Sequence, residues 1–387
     1  MSKYINKKPK IGIFMDDYYP SINGVNFVMD NCARGLSEYF DFVFVVPHVD
    51  RRYVDNFPYK VIRFKGVWTK KLGYTWATPE LDFRARKELH SQKFDLIHIH
   101  SPFIMGRYGT WIARKYNVPV LGTIHTQFSY ELDRLGLKGI CKKIPMDWMR
   151  TTYNFCDECF TFNEADKDIF TEFGITKKIS IIQNATDMTT SDAIDEDKKY
   201  INEKYNLDEA DNVLLFVGRI NIVKNIEFLL ESLRVLADKG TKYRMLFVGP
   251  LEDEEIFCNK IEELNLWDYV KICGEIYDRD LLKKIYARAD LLLLPSYYDT
   301  SSLVKIEAAS QFTPTVFIEN TPIASTIKNN YDGFVSSYEK NAYADKIAEV
   351  LNNKNLLHEV SQNCHESLYI TWPEVCDNLL EHYKKYL

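Results

Sequence analysis

Residues 213–225, with the sequence VLLFVGRINIVKN, give the clearest indication of the fold class of this chain. The first five residues form an apolar run of strand length, and a loop with one glycine and two cations follows before a helical pattern begins. A buried strand that passes through such a loop into a helix is the repeating unit of parallel α/β sheets. The segment therefore predicts a βαβ unit whose loop contains Gly218, Arg219 and Lys224.

The same alternation of short apolar runs and helical patterns extends in both directions along the chain. It predicts two Rossmann-like halves of an α/β protein, joined by the polar, acidic segment 186–212, which lacks strand character. We expect a first domain at residues 1–188, a second at 189–370 and a final helix at 371–387. The predicted strands are 11–15, 42–46, 60–64, 96–99, 118–123, 158–162 and 179–182 in the first half, and 213–217, 244–248, 270–272, 291–294 and 315–318 in the second.

The length and composition of the chain limit the classes of protein to which it can belong. The 387 residues exceed a single hydrophobic core, and 46% hydrophobic with 27% charged residues is typical of a folded protein. The net charge of −6 gives no overall attraction to nucleic acid, so we expect no such partner. No apolar run approaches the roughly 20 residues that span a bilayer. Eight scattered cysteines and no signal sequence favour buried thiols, including Cys156 and Cys159, and a cytoplasmic location.

Ligands of open parallel sheets bind beyond the carboxyl ends of the strands, so the loops there are candidate sites. The loop after residues 11–15 contains Asn23-Gly24, which suits either the approach of an anion or a simple turn. In the loop after residues 213–217, Arg219 and Lys224 suit a diphosphate, because guanidinium and ammonium groups stabilise phosphate charge near a helix N-terminus. The alternative for these two residues is a pair of solvated surface cations.

Two carboxylates follow the apolar run 291–294. Asp299 falls in the loop and Glu307, eight positions later, falls in the next helix, so they can reach two different hydroxyl-bearing parts of an extended ligand. Taken alone, the pair is better explained by Asp299 as a helix cap and Glu307 as a partner of the helix dipole.

In this order, the segments resemble the GT-B glycosyltransferases of glycosyltransferase family four over almost the whole chain. The resemblance implies two Rossmann-like domains that face each other across a cleft, and a C-terminal helix, with Trp372 and Tyr383, that returns to the N-terminal domain. The matching features are Tyr19-Pro20 with Asn23-Gly24-Val25, Asp95-Leu96-Ile97-His98-Ile99-His100, Thr123-Ile124-His125-Thr126, Gly218-Arg219 with Lys224-Asn225, and the element from Asp299 to Glu307.

The resemblance also implies a function: a retaining transferase that moves a hexose from a nucleotide-sugar, a UDP-sugar, to a lipid-linked or polysaccharide-precursor acceptor, with no cofactor and no metal. Arg219 and Lys224 would bind the diphosphate of the donor, Glu307 would bind its ribose hydroxyls, and Asp299 would face the transferred sugar. The implied catalytic residues are Asp299, His125, Arg219 and Lys224; the donor-binding residues are Asn23, Gly24, Gly218, Arg219, Lys224, Ser301, Ser302, Leu303 and Glu307; and the acceptor side has His100 and Tyr18.

The chain departs from the family pattern at two places. Asp299 stands where the family has glutamate, and Thr300-Ser301-Ser302 replaces a glycine-containing triplet. We interpret this as altered sugar preference, because the serines still supply hydroxyl donors. Three alternatives stay open: a transfer-inactive nucleotide-sugar-binding partner or regulator of another glycosyltransferase, a transferase acting on a protein or soluble acceptor, and a sugar-nucleotide epimerase.

Two further patterns bear on metals and membranes. Asp195-Glu196-Asp197 lies in the acidic connection and Asp278-Arg279-Asp280 opens a helix, so both Asp-x-Asp motifs are interpreted as structural and not as metal ligands. Basic and aromatic residues alternate in segments 51–71 and 134–150. Such segments suit peripheral contact with an anionic membrane, here its inner face, or equally a solvated surface whose apolar residues pack inward.

Overall fold

The computed structural model describes residues 7–21, 24–50, 52–69, 74–127, 129, 132–133, 136–221, 224–297, 299 and 301–387. The chain divides into two compact units, the first formed by Met1–Asn184 with Trp372–Leu387 and the second by Ala185–Thr371. Each unit is built on a parallel sheet, so the predicted α/β class with two Rossmann-like halves is confirmed.

The first unit contains a seven-stranded sheet and a separate antiparallel hairpin. Its strands are β1 (Lys10–Phe14), β2 (Asp41–Pro47), β3 (Lys60–Phe64), β4 (Gly66–Thr69), β5 (Tyr74–Ala77), β6 (Leu96–Ile99), β7 (Val120–Thr123), β8 (Glu158–Thr161) and β9 (Ile179–Ile181). The sheet order is β3-β2-β1-β6-β7-β8-β9, and β4 pairs with β5 alone. Its helices are α1 (Gly24–Gly35), α2 (Phe83–His90), α3 (Ile104–Tyr116), α4 (Ile140–Tyr153), α5 (Glu164–Glu172) and the C-terminal helix (Trp372–Tyr386).

The C-terminal helix packs on the first unit, although it follows the whole second unit in the chain. The rings of Phe27 in α1 and Trp372 lie 6.1 Å apart, and the inward face of the helix, including Leu379 and Tyr383, is buried. Burial of this apolar stripe stabilises the return of the chain. The predicted return of the final helix to the N-terminal half is confirmed.

The second unit contains a six-stranded sheet in the order β12-β11-β10-β13-β14-β15, with all neighbours parallel. Its strands are β10 (Val213–Val217), β11 (Arg244–Val248), β12 (Val270–Gly274), β13 (Leu291–Leu294), β14 (Thr315–Ile318) and β15 (Phe334–Ser336). Its helices are α6 (Ile194–Tyr205), α7 (Ile226–Asp238), α8 (Glu254–Glu263), α9 (Arg279–Arg288), α10 (Leu303–Ser310), α11 (Lys340–Asn352) and α12 (Lys354–Leu368).

The strands of both sheets are apolar because helices cover the two faces. All four residues of β13, LLLL, are buried, as are all four of β6 and of β8. The thiols of Cys156 and Cys159 are free and buried in the first core, so the prediction that they are core residues is confirmed. In the described part of the chain, every helix is too short or too polar to cross a membrane.

Candidate active site

Each sheet reverses its strand order at one point, and the candidate residues lie there. In the first unit the reversal lies where β1 pairs with β6, and in the second where β10 pairs with β13. Loops that leave two such strands pass to opposite faces of the sheet and leave a crevice beyond the carboxyl ends. The loops after β1, β6, β10 and β13 are therefore the candidate ligand-binding loops.

Two glycines shape the loop after β10. Gly218 has a φ of +144°, which favours glycine, and its N–H donates to Val248 O at 2.9 Å. A Cβ on Gly249, at the end of β11, would lie 2.0 Å from the Gly218 carbonyl oxygen. The two loops thus touch through their backbones, which only glycine permits. Sequence analysis missed Gly249, although a glycine directly after an apolar strand is its signal.

Arg219 lies on the exposed side of this loop. Its Nη1 is 3.6 Å from Glu252 Oε1, and 58% of its side chain is exposed. Glu252 also accepts a hydrogen bond from Asn221 Nδ2 at 2.6 Å, and Asn221 Oδ1 accepts one from the Lys224 N–H at 3.2 Å. Asn221 and Glu252, which sequence analysis missed, therefore support the loop that holds both cations. An exposed pair of this kind contributes little stability, so the guanidinium can exchange Glu252 for another anion.

Lys224 and Asp299, both predicted as catalytic residues, are in contact. Lys224 Nζ donates to the two Asp299 carboxylate oxygens at 2.6 and 2.9 Å, and the side chains are 23% and 21% exposed. Asn225 Nδ2 donates to Pro295 O at 3.1 Å and joins the loop after β10 to the loop after β13. An ammonium and a carboxylate thus meet at the strand reversal of the second sheet.

The first turn of α10 follows Asp299 closely. Ser302 holds the N-cap position, Leu303 begins the helix, and Ser301 precedes both. The Ser302 side chain accepts no hydrogen bond from the first turn of the described helix. The N–H groups at this helix start therefore suit an anion, which the helix dipole also favours.

Glu307 is held by two side chains that sequence analysis did not identify as its partners. Arg279 Nη1 donates to Glu307 Oε1 at 2.7 Å, and Tyr286 Oη donates to Oε2 at 2.8 Å. Arg279 also contacts Asp187 Oδ1 at 2.5 Å. The Glu307 side chain is only 7% exposed, so these bonds fix its orientation. The convergence of Arg219 and Glu307 on one nucleotide stays a prediction.

Three histidines lie in or just after β6 and β7 of the first unit: His98 is part of β6, His100 follows β6, and His125 follows β7. His100 Nδ1 lies 3.0 Å from His125 Nε2, and the rings of His98 and His100 are 4.0 Å apart. Burial lowers the pKa of His98 and of His125 to about 3, and lowers the pKa of His100 well below its usual value. All three imidazoles are therefore neutral at pH 7 and present one N–H and one acceptor nitrogen each.

Asp16, which sequence analysis did not single out, joins the loops after β1 and β6. Its carboxylate accepts hydrogen bonds from Ser101 Oγ at 2.6 Å and from the Met105 N–H at 2.8 Å. Burial raises the pKa of Asp16, and these hydrogen bonds partly offset that rise. A carboxylate used in this way positions the loop that begins at His100.

The structure does not support contact between Tyr18 and an acceptor. The Tyr18 side chain is fully buried, and its hydroxyl lies 2.6 Å from that of Tyr59, which donates to Asp30 at 2.5 Å. Its ring packs on Phe44 with centroids 4.9 Å apart. Aromatic packing accounts for the position of the Tyr18 side chain, because its hydroxyl is bonded to Tyr59 and does not face solvent. Asn23 lies outside the described residues, and Gly24 is the first residue of α1.

The two Asp-x-Asp motifs lie at helix starts. Asp278 caps α9, accepting from the N–H groups of Asp280 at 2.9 Å and Leu281 at 3.2 Å. Asp195-Glu196-Asp197 forms the first turn of α6, where Asp197 accepts from Ser191 Oγ at 2.5 Å. These hydrogen bonds give the acids of both motifs a role at the helix N-termini, as the structural interpretation expects. In the described ranges, His, Cys, Asp and Glu side chains nowhere form a group of three that suits a metal ion.

Similar proteins share this sequence pattern and fold. The family model described as Glycosyltransferase Family 4 matches residues 22–190, and the one described as Glycosyl transferases group 1 matches residues 197–367. The chain is 22% identical to alpha-monoglucosyldiacylglycerol synthase of Streptococcus pneumoniae, over 88% of this chain and 78% of that protein.

Two solved structures superpose on nearly the whole chain. Sucrose-phosphate synthase from Thermosynechococcus elongatus has a TM-score of 0.79 at 17% identity, covering 98% of this chain and 99% of that one. HepE from Anabaena in complex with UDP has a TM-score of 0.77 at 14% identity, covering 97% and 100%, and HepE has also been solved in complex with UDP-glucose. Since the two family models match successive halves of the chain and the fold is shared along its length, this protein is a GT-B glycosyltransferase and belongs to glycosyltransferase family four.

Proposed function

We propose that this glycosyltransferase moves a hexose from a UDP-sugar, with retention of configuration and without a metal ion, to a lipid-linked or polysaccharide-precursor acceptor. The contact between Lys224 and Asp299 at the strand reversal of the second sheet is the observation that supports the proposal most directly. In this proposal the second unit binds the donor and the first unit binds the acceptor.

The charges around the strand reversal suit a sugar diphosphate. Lys224 and Arg219 would bind the phosphates, while the first turn of α10, with Ser301, Ser302 and Leu303, would add backbone donors. Asp299 would exchange its bond to Lys224 for a sugar hydroxyl, and Glu307 would accept from the ribose hydroxyls. Uracil is the proposed base of the donor because HepE, which shares the fold, was solved with UDP and with UDP-glucose.

The proposed reaction breaks the bond between the anomeric carbon and the diphosphate oxygen, which leaves with the electron pair. The acceptor oxygen attacks the same face and forms the new bond, and its proton passes to the departing phosphate. Lys224 and Arg219 lower the barrier by stabilising charge that grows on the leaving group, a contribution of several kcal/mol in partly desolvated sites. Because these groups supply the positive charge, the proposed reaction needs no metal ion.

A donor screen by thermal shift tests this proposal. A UDP-hexose at a hundred times its dissociation constant should add about 2.7 kcal/mol to the stability of the second unit, which corresponds to about 5–10 °C in Tm. GDP- and CDP-hexoses should produce smaller shifts. Incubation of the best donor with candidate acceptors should then yield a product whose anomeric configuration, measured by NMR, equals that of the donor.

Other outcomes would change specific parts of the proposal. A chelator should leave the transfer rate unchanged, so a loss that manganese or magnesium restores would reject the metal-free mechanism. Binding of the donor with neither transfer nor slow hydrolysis would reject the enzymatic role of this site. An inverted product would reject the front-face reaction.

The exposed face of α4 supports a membrane-bound acceptor. Ile140, Ile144 and Trp148 are spaced four residues apart, lie on one face of the helix, and are 72%, 53% and 46% exposed. Arg107 packs over the Trp148 ring at 4.9 Å, and Lys143 is exposed beside Ile144. An apolar stripe flanked by cations suits the surface of an anionic bilayer. The eight free thiols fit its cytoplasmic side.

Flotation with liposomes tests this surface. The protein should float with vesicles that contain phosphatidylglycerol at low salt, and Ile144→Glu should lower the membrane-bound fraction about tenfold or more, because it removes apolar area and adds like charge. The matched control is Ile256→Glu, since Ile256 is 59% exposed on a helix of the second unit. Equal flotation of both variants, or none by the wild type, would favour a soluble or protein acceptor.

A further inference from the structure

Tyr383 of the C-terminal helix is hydrogen-bonded to His98, a residue that sequence analysis did not assign to the site. Its Oη lies 2.8 Å from His98 Nδ1, and the opposite nitrogen, Nε2, lies 2.8 Å from Thr123 Oγ1. His98 is 1% exposed. Because both ring nitrogens are hydrogen-bonded in a buried environment, rotation of this imidazole would break at least one bond, and its plane is fixed.

The fixed ring of His98 supports His100. The two ring centroids are 4.0 Å apart, and on its other side His100 Nδ1 lies 3.0 Å from His125 Nε2. His100 is therefore restrained by packing against one histidine and by a hydrogen bond to another. His98 thus lies between Tyr383, to which it is hydrogen-bonded, and His100, against which it packs.

The second ring nitrogen of His100, Nε2, is the atom that indicates a ligand-binding role. His100 is 6% exposed, and no described residue offers a hydrogen-bond partner to its Nε2. Buried polar atoms are nearly always paired, because leaving one unpaired costs folding free energy. A ligand hydroxyl would satisfy a neutral imidazole whether Nε2 donates or accepts.

We infer that His98 and Tyr383 are positioning residues, which hold His100 so that its Nε2 meets the acceptor hydroxyl. In this inference the C-terminal helix orients a residue of the acceptor side, in addition to stabilising the first unit by packing on it. The identity of the ligand as an acceptor hydroxyl rests on the proposed function, whereas the dependence of the His100 ring on Tyr383 does not.

A buried carboxylate holds the C-terminal helix at the correct position along its axis. Glu158, fully buried in β8, accepts from Tyr386 Oη at 3.1 Å and lies 3.3 Å from His382 Nδ1. Lys178 and Ser180 bond to its other oxygen at 2.6 and 2.5 Å, and this set of donors lowers the pKa of Glu158 to about 2 against the opposing effect of burial. The residues on both sides of Tyr383 are thus anchored to the sheet.

Tyr383→Phe tests the inference, because it removes only the hydroxyl group. We expect the imidazole ¹⁵N and ¹H resonances of His98 and also of His100 to shift or broaden, and kcat for transfer to fall about tenfold, as for a small misplacement of a reacting partner. The dissociation constant of the donor should stay within about twofold of the wild type, because the donor-binding residues of the second unit are untouched.

Tyr243→Phe is the matched control. Tyr243 is buried in the second unit, where its hydroxyl donates to Leu233 O at 2.8 Å. This variant also loses one buried tyrosine hydroxyl, but its histidine resonances and its kcat should equal those of the wild type. Unchanged His100 resonances in Tyr383→Phe would overturn the inference, and so would an equal fall of kcat in both variants.

Thr123→Val decides the question if Tyr383→Phe does not fold. It frees the opposite nitrogen of His98 and should produce the same change at His100; resonances like those of the wild type would overturn the inference. A wild-type protein that performs no transfer would reject the proposed function alone, because the resonance shifts measure the dependence of His100 on Tyr383 without any turnover.

Discussion

Lys224→Ala is expected to lower kcat for sugar transfer by about 10²–10³-fold while the protein remains folded. The ammonium group lies 2.6 Å from Asp299 at the strand reversal of the second sheet, and about a quarter of each side chain is exposed. In such a partly desolvated place, two unit charges 4 Å apart interact by about 4 kcal/mol. Removal of this cation would leave Arg219 and the start of α10 as the remaining compensation for the growing charge on the diphosphate, and would leave Asp299 as a like charge beside it.

Two further variants separate charge from geometry at this position. Lys224→Arg keeps the charge but not the compact shape, so transfer should recover only in part. Adding Asp299→Asn to Lys224→Ala should restore part of the donor affinity, because the like charge beside the phosphate is removed.

Lys239→Ala is the matched control for Lys224→Ala. It breaks the ion pair of Lys239 with Asp345 in the same unit, and both of these side chains are more than a third exposed. Exposed pairs contribute about 0–1 kcal/mol, so activity and Tm should change little. Turnover of Lys224→Ala that equals that of this control would remove Lys224 from the catalytic site.

Glu307→Gln is expected to weaken UDP binding by about 10- to 100-fold, measured by isothermal titration calorimetry. Hydrogen bonds to a charged group contribute about 1.5–3 kcal/mol, and glutamine supplies one weaker acceptor in place of two. Arg279 and Tyr286 already orient the carboxylate, at 2.7 and 2.8 Å. Little reorganisation is therefore needed before it meets the ribose hydroxyls.

The same substitution has a stability cost that must be measured separately. Arg279 keeps Asp187 as a partner, and its side chain is 40% exposed, so solvent limits the loss to about 1 kcal/mol. Glu349→Gln, which breaks an exposed pair with Lys346 on α11, is the control. Wild-type affinity for UDP in Glu307→Gln would show that Glu307 serves only to bind Arg279 and Tyr286.

Most of the strands could be predicted from the sequence, because a run of a few neighbouring apolar residues is enough to indicate a buried strand. Runs such as residues 213–217 and 291–294 are apolar since both faces of a parallel sheet are covered, and the structure begins and ends these strands at the predicted residues. The hairpin of β4 and β5 and the short β15 were missed. In β4, Val67 and Trp68 are 63% and 54% exposed, so this strand has no buried stripe that would signal it in the sequence.

The candidate site was predictable only in part. Loop position and residue type pointed to Arg219 and Lys224, because ligands of such sheets gather beyond the strand ends, whereas Asp299 and Glu307 became candidates through the family resemblance. The partners Glu252, Arg279 and Tyr286 were missed, since Glu252 follows β11, whereas Arg279 and Tyr286 both lie on α9, and no spacing in the sequence connects them with Arg219 or Glu307. The resemblance placed Tyr18 on the acceptor side, whereas aromatic packing buries it.

Local sequence was enough to predict the two α/β halves, the glycine-containing loops and the chemical types of the residues on them, because apolar period and turn chemistry act over a few neighbouring residues. Which of these residues come into contact depends on the packing of elements that are far apart in the chain. Lys224 reaches Asp299, 75 positions away, because β10 and β13 are neighbours at the strand reversal. Tyr383 reaches His98, 285 positions away, because the apolar face of the last helix is buried on the first unit.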